Sequence, residues 1–215
     1  MNRDSRLHGL YAITDTRLAT DQGLSAQVEA ALEGGARIIQ YRDKSRDKLR
    51  RLHETEALRR LTERYQALLI INDDVELALA CEADGVHLGR DDTDLTSARR
   101  RLGNGVIIGV SCYNRLELAL QATRLGADYI AFGRFFSSRS KPQAVQAETR
   151  LLRQAREHLD LPLVAIGGIT PENGRQLIEA GADMLAVIHA VFGQPDIRQA
   201  CAQFQPLFLP EKTTS

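Results

Sequence analysis

The stretch LLIINDDVELALACEADGVHLG, residues 68–89, contains one complete repeat of the pattern that decides the fold. A short apolar run ends in polar residues, an amphipathic segment follows, and a second short run begins at Gly85. The apolar runs are continuous instead of alternating with polar residues, which is typical of parallel strands buried on both faces. The stretch therefore predicts a strand, a helix and a second strand parallel to the first.

The same alternation continues in both directions along the chain, so that eight strands each precede a helix. The predicted strands are residues 9–15, 37–44, 68–73, 85–89, 106–111, 128–133, 161–169 and 184–191. The predicted helices are residues 24–33, 47–65, 75–83, 94–102, 115–126, 147–159, 171–181 and 196–208. Eight such units favour an α/β fold, one closed (β/α)8 TIM barrel that spans residues 1–215 as a single domain. An open doubly wound sheet is the alternative, but the glycine fingerprint it normally carries after its first strand is missing.

The composition is that of an ordinary soluble protein, and its 215 residues are near the lower end for an eightfold barrel. Lys plus Arg and Asp plus Glu both number 28, so the zero net charge gives no general attraction to nucleic acid or anionic membrane. No apolar run approaches the roughly 18 residues of a membrane helix, and residues 1–9 lack the apolar stretch of a signal peptide. We therefore expect a cytoplasmic protein with neither nucleic acid nor membrane as its partner.

Three cysteines and a repeated tetrapeptide have structural interpretations. The cysteines, Cys81, Cys112 and Cys201, are widely spaced, which predicts buried reduced thiols and no zinc or redox site. The repeats are GGAR at residue 34, EADG at 82, GADY at 126 and GADM at 181. Each lies where a helix stops and a strand begins, so glycine would cap the helix and alanine would allow close packing. The tail, residues 210–215, is expected to be frayed.

In a barrel of this type the active site lies at the carboxyl ends of the strands. Polar residues there include cationic and hydroxyl donors for phosphate oxygens, namely Arg42, Lys44, Ser138, Arg139, Ser140 and Lys141. Two carboxylates, Asp73 and Asp92, end neighbouring strands and suit Mg²⁺, which also takes phosphate oxygens. Gly167 and Gly168 follow the seventh strand, where glycine lets backbone N–H groups approach a phosphate. The pattern predicts a phosphate-handling, Mg²⁺-dependent enzyme.

Each of these signals also has a purely structural interpretation. Arg42 and Asp43 could form a surface ion pair worth less than ~1 kcal/mol. Asp73 could cap the helix that follows it, as Asp94 could cap the next one. His87 lies in an apolar strand, where a histidine is more often a hydrogen-bonded core residue than a catalyst. The residues alone leave both interpretations open.

Eight short motifs occur in order along the chain: GLYAITD, QYRDK, INDD, GVHLGRDD, GVSCY, YIAFGRFFSSRSKP, AIGGI and AVIHAV. As an ordered set they resemble the thiamine phosphate synthase family over nearly the whole chain. The resemblance implies a (β/α)8 barrel that joins 4-amino-5-hydroxymethyl-2-methylpyrimidine diphosphate to a (carboxy)thiazole phosphate. The implied products are thiamine phosphate and diphosphate, and the implied cofactor is Mg²⁺.

The same resemblance implies a role for individual positions. The pyrimidine diphosphate would be bound by Gln40, Tyr41, Arg42, Asp43, Lys44, Asn72, Ser111 and Lys141. The thiazole phosphate would be bound by Ser138, Arg139, Ser140, Gly168, Ile188 and His189. Mg²⁺ would be bound by Asp73 and Asp92. Catalysis, as stabilisation of the leaving diphosphate, would involve Lys141, Arg42 and Ser111.

The sequence departs from the family pattern at several of these positions. Asp43 replaces a glutamate, Ser138 and Ser140 replace threonines, and Arg134 replaces a proline. His189 stands where a serine is common, so the thiazole phosphate could meet its side chain or only its backbone N–H. The loop of residues 134–146 is long enough to act as a lid.

Two other functions are compatible with the fold. A related thiazole tautomerase rearranges a thiazole phosphate without forming a C–N bond, and it typically lacks the full set of diphosphate and Mg²⁺ ligands. A non-catalytic phosphate-binding regulator is the second alternative. The complete ligand set favours the synthase over both. The oligomeric state stays open, with a homodimer as one option.

Overall fold

The computed structural model of the protein describes residues 5–18, 23–89, 94–137 and 146–209. Within these ranges the strands are β1 (Gly9–Ile13), β2 (Ile38–Tyr41), β3 (Leu68–Asn72), β4 (Gly85–Leu88), β5 (Ile107–Tyr113), β6 (Tyr129–Gly133), β7 (Leu163–Ile166) and β8 (Met184–Val187). They are hydrogen-bonded in chain order into a closed barrel. Because β1 pairs in parallel with β8 as well as with β2, the sheet has no edge. The predicted (β/α)8 barrel is confirmed, and the open sheet is excluded.

Helices connect successive strands and form the outer layer. They are α1 (Gly23–Glu33), α2 (Lys48–Arg64), α3 (Val75–Ala80), α4 (Leu95–Leu102), α5 (Leu116–Arg124), α6 (Thr149–His158), α7 (Pro171–Glu179), α8 (His189–Phe192) and α9 (Ile197–Ala202). Short 3-10 turns cover Thr16–Leu18 and Gln205–Phe208. No helix in the described ranges combines the length and apolarity needed to cross a membrane. The predicted frayed tail, residues 210–215, lies outside them.

Side chains along each strand alternate between the barrel interior and the layer under the helices. On β1, Tyr11 and Ile13 belong to the interior cluster, whereas Leu10 and Ala12 pack in the outer layer. A closed barrel of eight strands leaves just enough interior space for side chains to fill it. Gly109 provides part of this space, since a Cβ atom there would lie 1.9 Å from the ring of Tyr129. In the part of the chain that the structure describes, these side chains therefore form a packed core within the barrel.

Two predicted elements near the end of the chain have wrong boundaries. The predicted strand 184–191 ends as β8 after four residues, and α8 follows it. Ile188, with φ −116° and ψ −77°, leaves the extended conformation, and an apolar run alone does not distinguish a buried strand from a buried helix. The predicted helix 196–208 is divided into α9 and a 3-10 turn, because Pro206 has no N–H to continue an α-helix.

The three cysteines are buried and form no disulfide, as the sequence predicted. Burial raises the pKa of the Cys112 and Cys201 thiols to about 12, so both remain protonated at neutral pH. A buried thiol of this kind packs as a small apolar side chain. The cysteines therefore contribute to the core.

Three of the four repeated tetrapeptides place an aspartate at the amino-terminal end of a strand, namely β4, β6 and β8. In each case the carboxylate accepts a backbone N–H from the preceding strand and a guanidinium from the helix before that strand. These Arg–Asp clamps consist of Asp84 with Leu69 and Arg59, Asp128 with Ile108 and Arg99, and Asp183 with Leu163 and Arg156. The backbone bonds measure 2.9, 2.7 and 2.7 Å. One side chain thus joins two strands and a helix at the end of the barrel away from the cavity.

The clamps stabilise groups that would be costly to leave without a partner. Leu163 is fully buried, so its N–H depends on Asp183 for an acceptor. The guanidinium of Arg156 also donates to the carbonyl oxygens of Leu161 and Gly181, which ties α6 to the segments flanking β7 and β8. Removal of the carboxylate would therefore affect several elements together.

We expect Asp183→Ala to lower the free energy of unfolding by roughly 2–3 kcal/mol, because a buried N–H and a guanidinium lose their shared acceptor. Urea denaturation monitored by circular dichroism at pH 7 measures this change. The matched control is Asp47→Asn, which keeps an acceptor at an N-cap whose side chain is 57% exposed and should cost less than ~0.5 kcal/mol. Equal stability of the two variants would contradict the role of the clamp.

Candidate active site

The carboxyl-terminal ends of the strands surround a cavity of about 980 Å³. Many of the residues predicted from the sequence to bind substrate line this cavity: Gln40, Arg42, Lys44, Asn72, Ser111, Gly168, Ile188 and His189. They come from β2, β3, β5 and the loops after β7 and β8, so the barrel brings distant parts of the chain together. The volume is at the upper end for small-molecule pockets.

Side chains at the end of β2 and just after it alternate between the cavity and the opposite face. Gln40, Arg42 and Lys44 line the cavity, at alternate positions. The backbone N–H of Arg42 donates to Thr14 Oγ1 at 2.9 Å, which fixes the segment after β2 to the end of β1. The amide of Gln40 and the cations of Arg42 and Lys44 thus line the cavity from β2 and the segment after it.

The structure does not bring the side chains of Tyr41 and Asp43 into the cavity, although both were predicted to bind substrate. The Tyr41 hydroxyl donates to Glu54 of α2 at 2.6 Å. Asp43 accepts the N–H of Ser45 at 2.7 Å and the guanidinium of Arg50 at 2.5 Å. Burial raises the pKa of the Asp43 carboxyl, but these bonds outweigh it and hold the pKa below its usual value. Both side chains thus anchor the loop after β2 to α2, and Asp43 is paired with Arg50 and not with Arg42.

Asp73 does not cap the helix that follows it. Asp74 is the N-cap of α3, where its side chain accepts the N–H of Leu77, and Asp94 caps α4 in the same way. Asp73 itself has a positive φ of 65° and forms an ion pair with Lys44. Non-glycine residues with positive φ are uncommon and concentrate at functional sites. The carboxylate is therefore separate from the helix cap, and it pairs with Lys44, which lines the cavity.

Five polar side chains form a continuous chain of hydrogen bonds across the floor of the cavity. Gln40 Nε2 donates to Tyr11 Oη at 2.7 Å, and Tyr11 Oη lies 2.9 Å from Tyr129 Oη. Tyr129 Oη lies 2.9 Å from His87 Nδ1, and His87 Nε2 lies 2.8 Å from Ser111 Oγ. These residues, called here the floor chain, join β1, β2, β4, β5 and β6.

His87 is neutral in this environment. Burial lowers its pKa to about 4, although the nearby carboxylate of Asp73 acts in the opposite direction. Its ring stacks on that of Tyr129, with centroids 5.6 Å apart. The structure thus confirms that His87 is hydrogen-bonded inside the barrel, and it adds that the ring borders the cavity.

Glycines after β7 let another loop pass close to the cavity wall. Gly167 and Gly168 have φ of 106° and 63°. A Cβ atom on Gly167 would lie 2.3 Å from Arg134 Cβ, and one on Gly168 would lie 2.3 Å from the carbonyl oxygen of Ser137. Any larger residue would therefore displace the segment that leads into the loop after β6.

The same wall carries the beginning of a short extra helix. Ile188 is the N-cap of α8, so the amino-terminal end of this helix, where backbone N–H groups are exposed at any helix start, borders the cavity at Ile188 and His189. Within the described ranges, the backbone N–H of Gly168 also has no hydrogen-bond acceptor. Loops after strands seven and eight together with a short additional helix are the usual phosphate site of such barrels. This wall has the composition of an anion site.

Asp92, Ser138, Arg139, Ser140 and Lys141 lie outside the described residues, as does most of the predicted lid at 134–146. The structure also adds two residues that the sequence analysis did not predict: Asp15 and Arg17 form a bidentate ion pair in the cavity wall. The hydrogen bond from Arg17 lowers the pKa of the Asp15 carboxyl. The available signal was that Asp15 ends the first strand run, where barrel active sites occur.

Fold and cavity together define a (β/α)8-barrel enzyme with a polar active site at the carboxyl ends of its strands. Residues 10–191 match the family model of thiamine monophosphate synthase. The chain belongs to the thiamine-phosphate synthase family, and it is a transferase of thiamine biosynthesis.

Similar proteins support this assignment over most of the chain. The thiamine-phosphate synthase of Nitrosococcus oceani is 55% identical over 204 residues, which cover 95% of this chain and 94% of the relative. That of Alcanivorax borkumensis is 50% identical over 206 residues, with 94% and 95% covered. The solved structure of thiamine phosphate pyrophosphorylase from Pyrococcus furiosus superposes with a TM-score of 0.85 at 38% identity, covering 94% of this chain and 96% of that one.

The lowered pKa of His87 predicts a specific loss of stability in acid. Because an unfolded histidine titrates near 6.5, the unfolded state binds the proton first as the pH falls from about 6.5 towards 4. We expect this difference to lower the free energy of unfolding by roughly 2 kcal/mol across that window. Urea denaturation at pH 7.0 and 4.5 should show a larger loss for the wild type than for His87→Gln. Equal losses would show that His87 titrates normally.

Proposed function

We propose that this chain condenses 4-amino-5-hydroxymethyl-2-methylpyrimidine diphosphate with a thiazole phosphate, releasing thiamine phosphate and diphosphate. One observation carries the proposal: a single cavity has two separate walls suited to phosphate. Arg42 and Lys44 supply cations on one wall, and Gly168 with the start of α8 supplies backbone donors on another. A reaction between two phosphorylated molecules requires both.

The pyrimidine diphosphate is proposed to occupy the wall formed by β2, β3 and β5. Arg42 offers a fork of donors and Lys44 a compact charge for the diphosphate oxygens. Asn72 and Ser111 border the same region with neutral donors. Lys141, outside the described residues, is proposed to reach the diphosphate as well. The roles of Tyr41 and Asp43 would then be indirect, through the position of the loop that carries Arg42 and Lys44.

Mg²⁺ is proposed to bind Asp73 and Asp92. Asp73 fits this role, because its side chain is 23% exposed and its carboxylate already pairs with a positive charge, the ammonium of Lys44, which lines the cavity. Asp92 lies outside the described residues. The ion, when bound, would neutralise negative charge on the departing diphosphate.

The thiazole phosphate is proposed to bind at the wall formed by the loops after β7 and β8. The N–H of Gly168 and the first N–H groups of α8, from Ile188 and His189, supply neutral donors there. Ser138, Arg139 and Ser140 follow Ser137, which lines the cavity, and are proposed to complete this site. Two phosphate sites in one cavity would hold the thiazole ring facing the pyrimidine methylene.

The chemistry suits a site without an obvious acid–base pair. Departure of the diphosphate leaves a carbocation stabilised by the amino-substituted pyrimidine, and the thiazole nitrogen then attacks it. The cations of Arg42, Lys44 and Lys141 stabilise the leaving group, while the two walls align the reacting atoms. His87, being neutral and hydrogen-bonded at both ring nitrogens, is left without a proton-transfer role.

The tautomerase and the regulator are less well supported. The curated relatives at 50–55% identity carry the name thiamine-phosphate synthase. The cavity also retains Arg42, Lys44 and Asn72, for which a thiazole rearrangement would have no evident use. The outcome of one assay separates all three functions.

The assay combines the purified protein, the pyrimidine diphosphate, the thiazole phosphate and Mg²⁺, with EDTA in a parallel sample. We expect thiamine phosphate and diphosphate in equal amounts, and neither when EDTA is present. Isomerised thiazole phosphate without a coupled product would indicate the tautomerase. Binding of either ligand with no chemical change would indicate a regulator.

Removal of a single cation should impair the reaction. We expect Arg42→Ala and Lys141→Ala each to lower kcat/KM by about 10²-fold, since each removes a donor to the developing charge. The matched control is Arg46→Ala, a change in the exposed loop beyond Lys44 that does not border the cavity. Near-normal turnover of Lys141→Ala would remove that residue from the mechanism.

The unusual His189 offers a test of how the thiazole phosphate is held. If the contact is made by the backbone N–H, His189→Ser should retain activity, because serine supplies the same N–H at the start of α8. Steady-state kinetics with varied thiazole phosphate measure the effect. A large rise in KM for this substrate would instead assign the contact to the imidazole.

A further inference from the structure

The floor chain contains three residues to which the proposed function gives no role. Tyr11 and Tyr129 are 1% and 0% exposed and belong to the interior cluster of the barrel. A buried hydroxyl without a hydrogen-bond partner lowers the stability of the fold. Phenylalanine would avoid this cost, so a tyrosine at these positions suggests that its hydrogen bond has a role. His87 links the two tyrosines to Ser111, which faces the cavity.

The direction of the hydrogen bonds is set at one end of the chain. Gln40 Nε2 is an amide nitrogen and can only donate, so Tyr11 Oη accepts this bond. The hydrogen of the Tyr11 hydroxyl then needs an acceptor, and Tyr129 Oη is the one within reach among the described residues. Tyr129 Oη therefore accepts from Tyr11 and must donate its own hydrogen onwards.

The directions of the two remaining hydrogen bonds, at the Ser111 end of the floor chain, follow in the same way. Tyr129 donates to His87 Nδ1, so the proton of the neutral imidazole resides on Nε2 and is donated to Ser111 Oγ. The opposite order would leave the buried Tyr11 hydroxyl hydrogen without an acceptor. Among the described residues Ser111 Oγ has no second partner, so its own hydrogen remains available to the cavity.

We propose that Tyr11, Tyr129 and His87 are positioning residues that make Ser111 a hydrogen-bond donor to the bound substrate. The floor chain has an acceptor end, the side-chain amide oxygen of Gln40, and a donor end, the hydroxyl of Ser111. This inference rests on the proposed function, in which the hydroxyl of Ser111 donates to an oxygen of the pyrimidine diphosphate. A reversed chain would present a lone pair of Ser111 to the same anion and repel it.

The order of the chain can be measured without any substrate. Two-bond ¹H–¹⁵N correlation spectra at pH 7.5 distinguish the histidine tautomers, and loss of one signal set in His87→Gln assigns His87 among the five histidines. We expect Nε2 to carry the proton and Nδ1 to be unprotonated. A proton on Nδ1, or on both nitrogens, would overturn the proposed order.

The positioning role is tested by Tyr129→Phe, which removes the central hydroxyl while keeping the ring. We expect a mixture of His87 tautomers and an increase of about tenfold in KM for the pyrimidine diphosphate, with KM for the thiazole phosphate unchanged. Tyr65→Phe, on the outer layer, is the matched control. Tyr11→Phe interrupts the chain one bond earlier and serves as the second variant should Tyr129→Phe not fold.

A double-mutant cycle separates this role from general damage to the core. In a Ser111→Ala background, adding Tyr129→Phe should raise KM for the pyrimidine diphosphate no further. Additive effects, equal increases for both substrates, or an unchanged tautomer would each overturn the positioning role. Absence of turnover would reject the proposed function instead, and the tautomer in the ligand-free protein would still support or overturn the order of the chain.

Discussion

The hydrogen bonds between β1 and β8 close the sheet, and the rest of the structure depends on that closure. Once Gly9 to Ala12 pair with Met184 to Val187, every strand has two neighbours and the sheet gains an inside that must be filled. Closure also gathers the carboxyl ends of all eight strands around one opening. The polar ends of β2, β3 and β5 thereby meet the glycine loop after β7, although more than a hundred residues separate the first from the last.

Filling the interior imposes conflicting requirements near the cavity. Below, apolar residues such as Ile38 and Met184 occupy the space. Towards the cavity, the floor must present polar groups to a charged substrate, and each of these groups must keep a hydrogen-bond partner although it is buried. The floor chain meets both requirements, since each buried polar atom in it is bonded to the next. Gly109 is part of this solution, because only the absence of a side chain there lets the ring of Tyr129 cross the barrel.

Much of this could be predicted from the sequence, and the exceptions have physical reasons. Continuous apolar runs predicted the strands, and the polar residues at their ends predicted Arg42 and Lys44, which line the cavity. The family resemblance added Gln40, Asn72 and Ser111, which line it as well. Tyr41 and Asp43 were grouped with them by motif, whereas the two-residue period of a strand places them on the other face. Which of two adjacent aspartates caps a helix depends on a left-handed backbone that composition does not reveal. The sequence did not predict a polar role for Tyr11 and Tyr129, because a tyrosine within an apolar run is typical of an ordinary core residue.

The Arg–Asp clamps recur at β4, β6 and β8, so they divide most of the barrel into modules of two strands and two helices. Each module begins at α2, α4 or α6 and ends after β4, β6 or β8, with its internal clamp at the amino-terminal end. The joints between modules therefore fall in the segments after β4 and β6, at the opposite end, which carry Asp92 and Lys141. Insertions or replacements at these joints would leave every clamp intact, because no clamp residue lies in them. The architecture thus separates the part of the chain that can diversify for new substrates from the part that keeps the barrel folded.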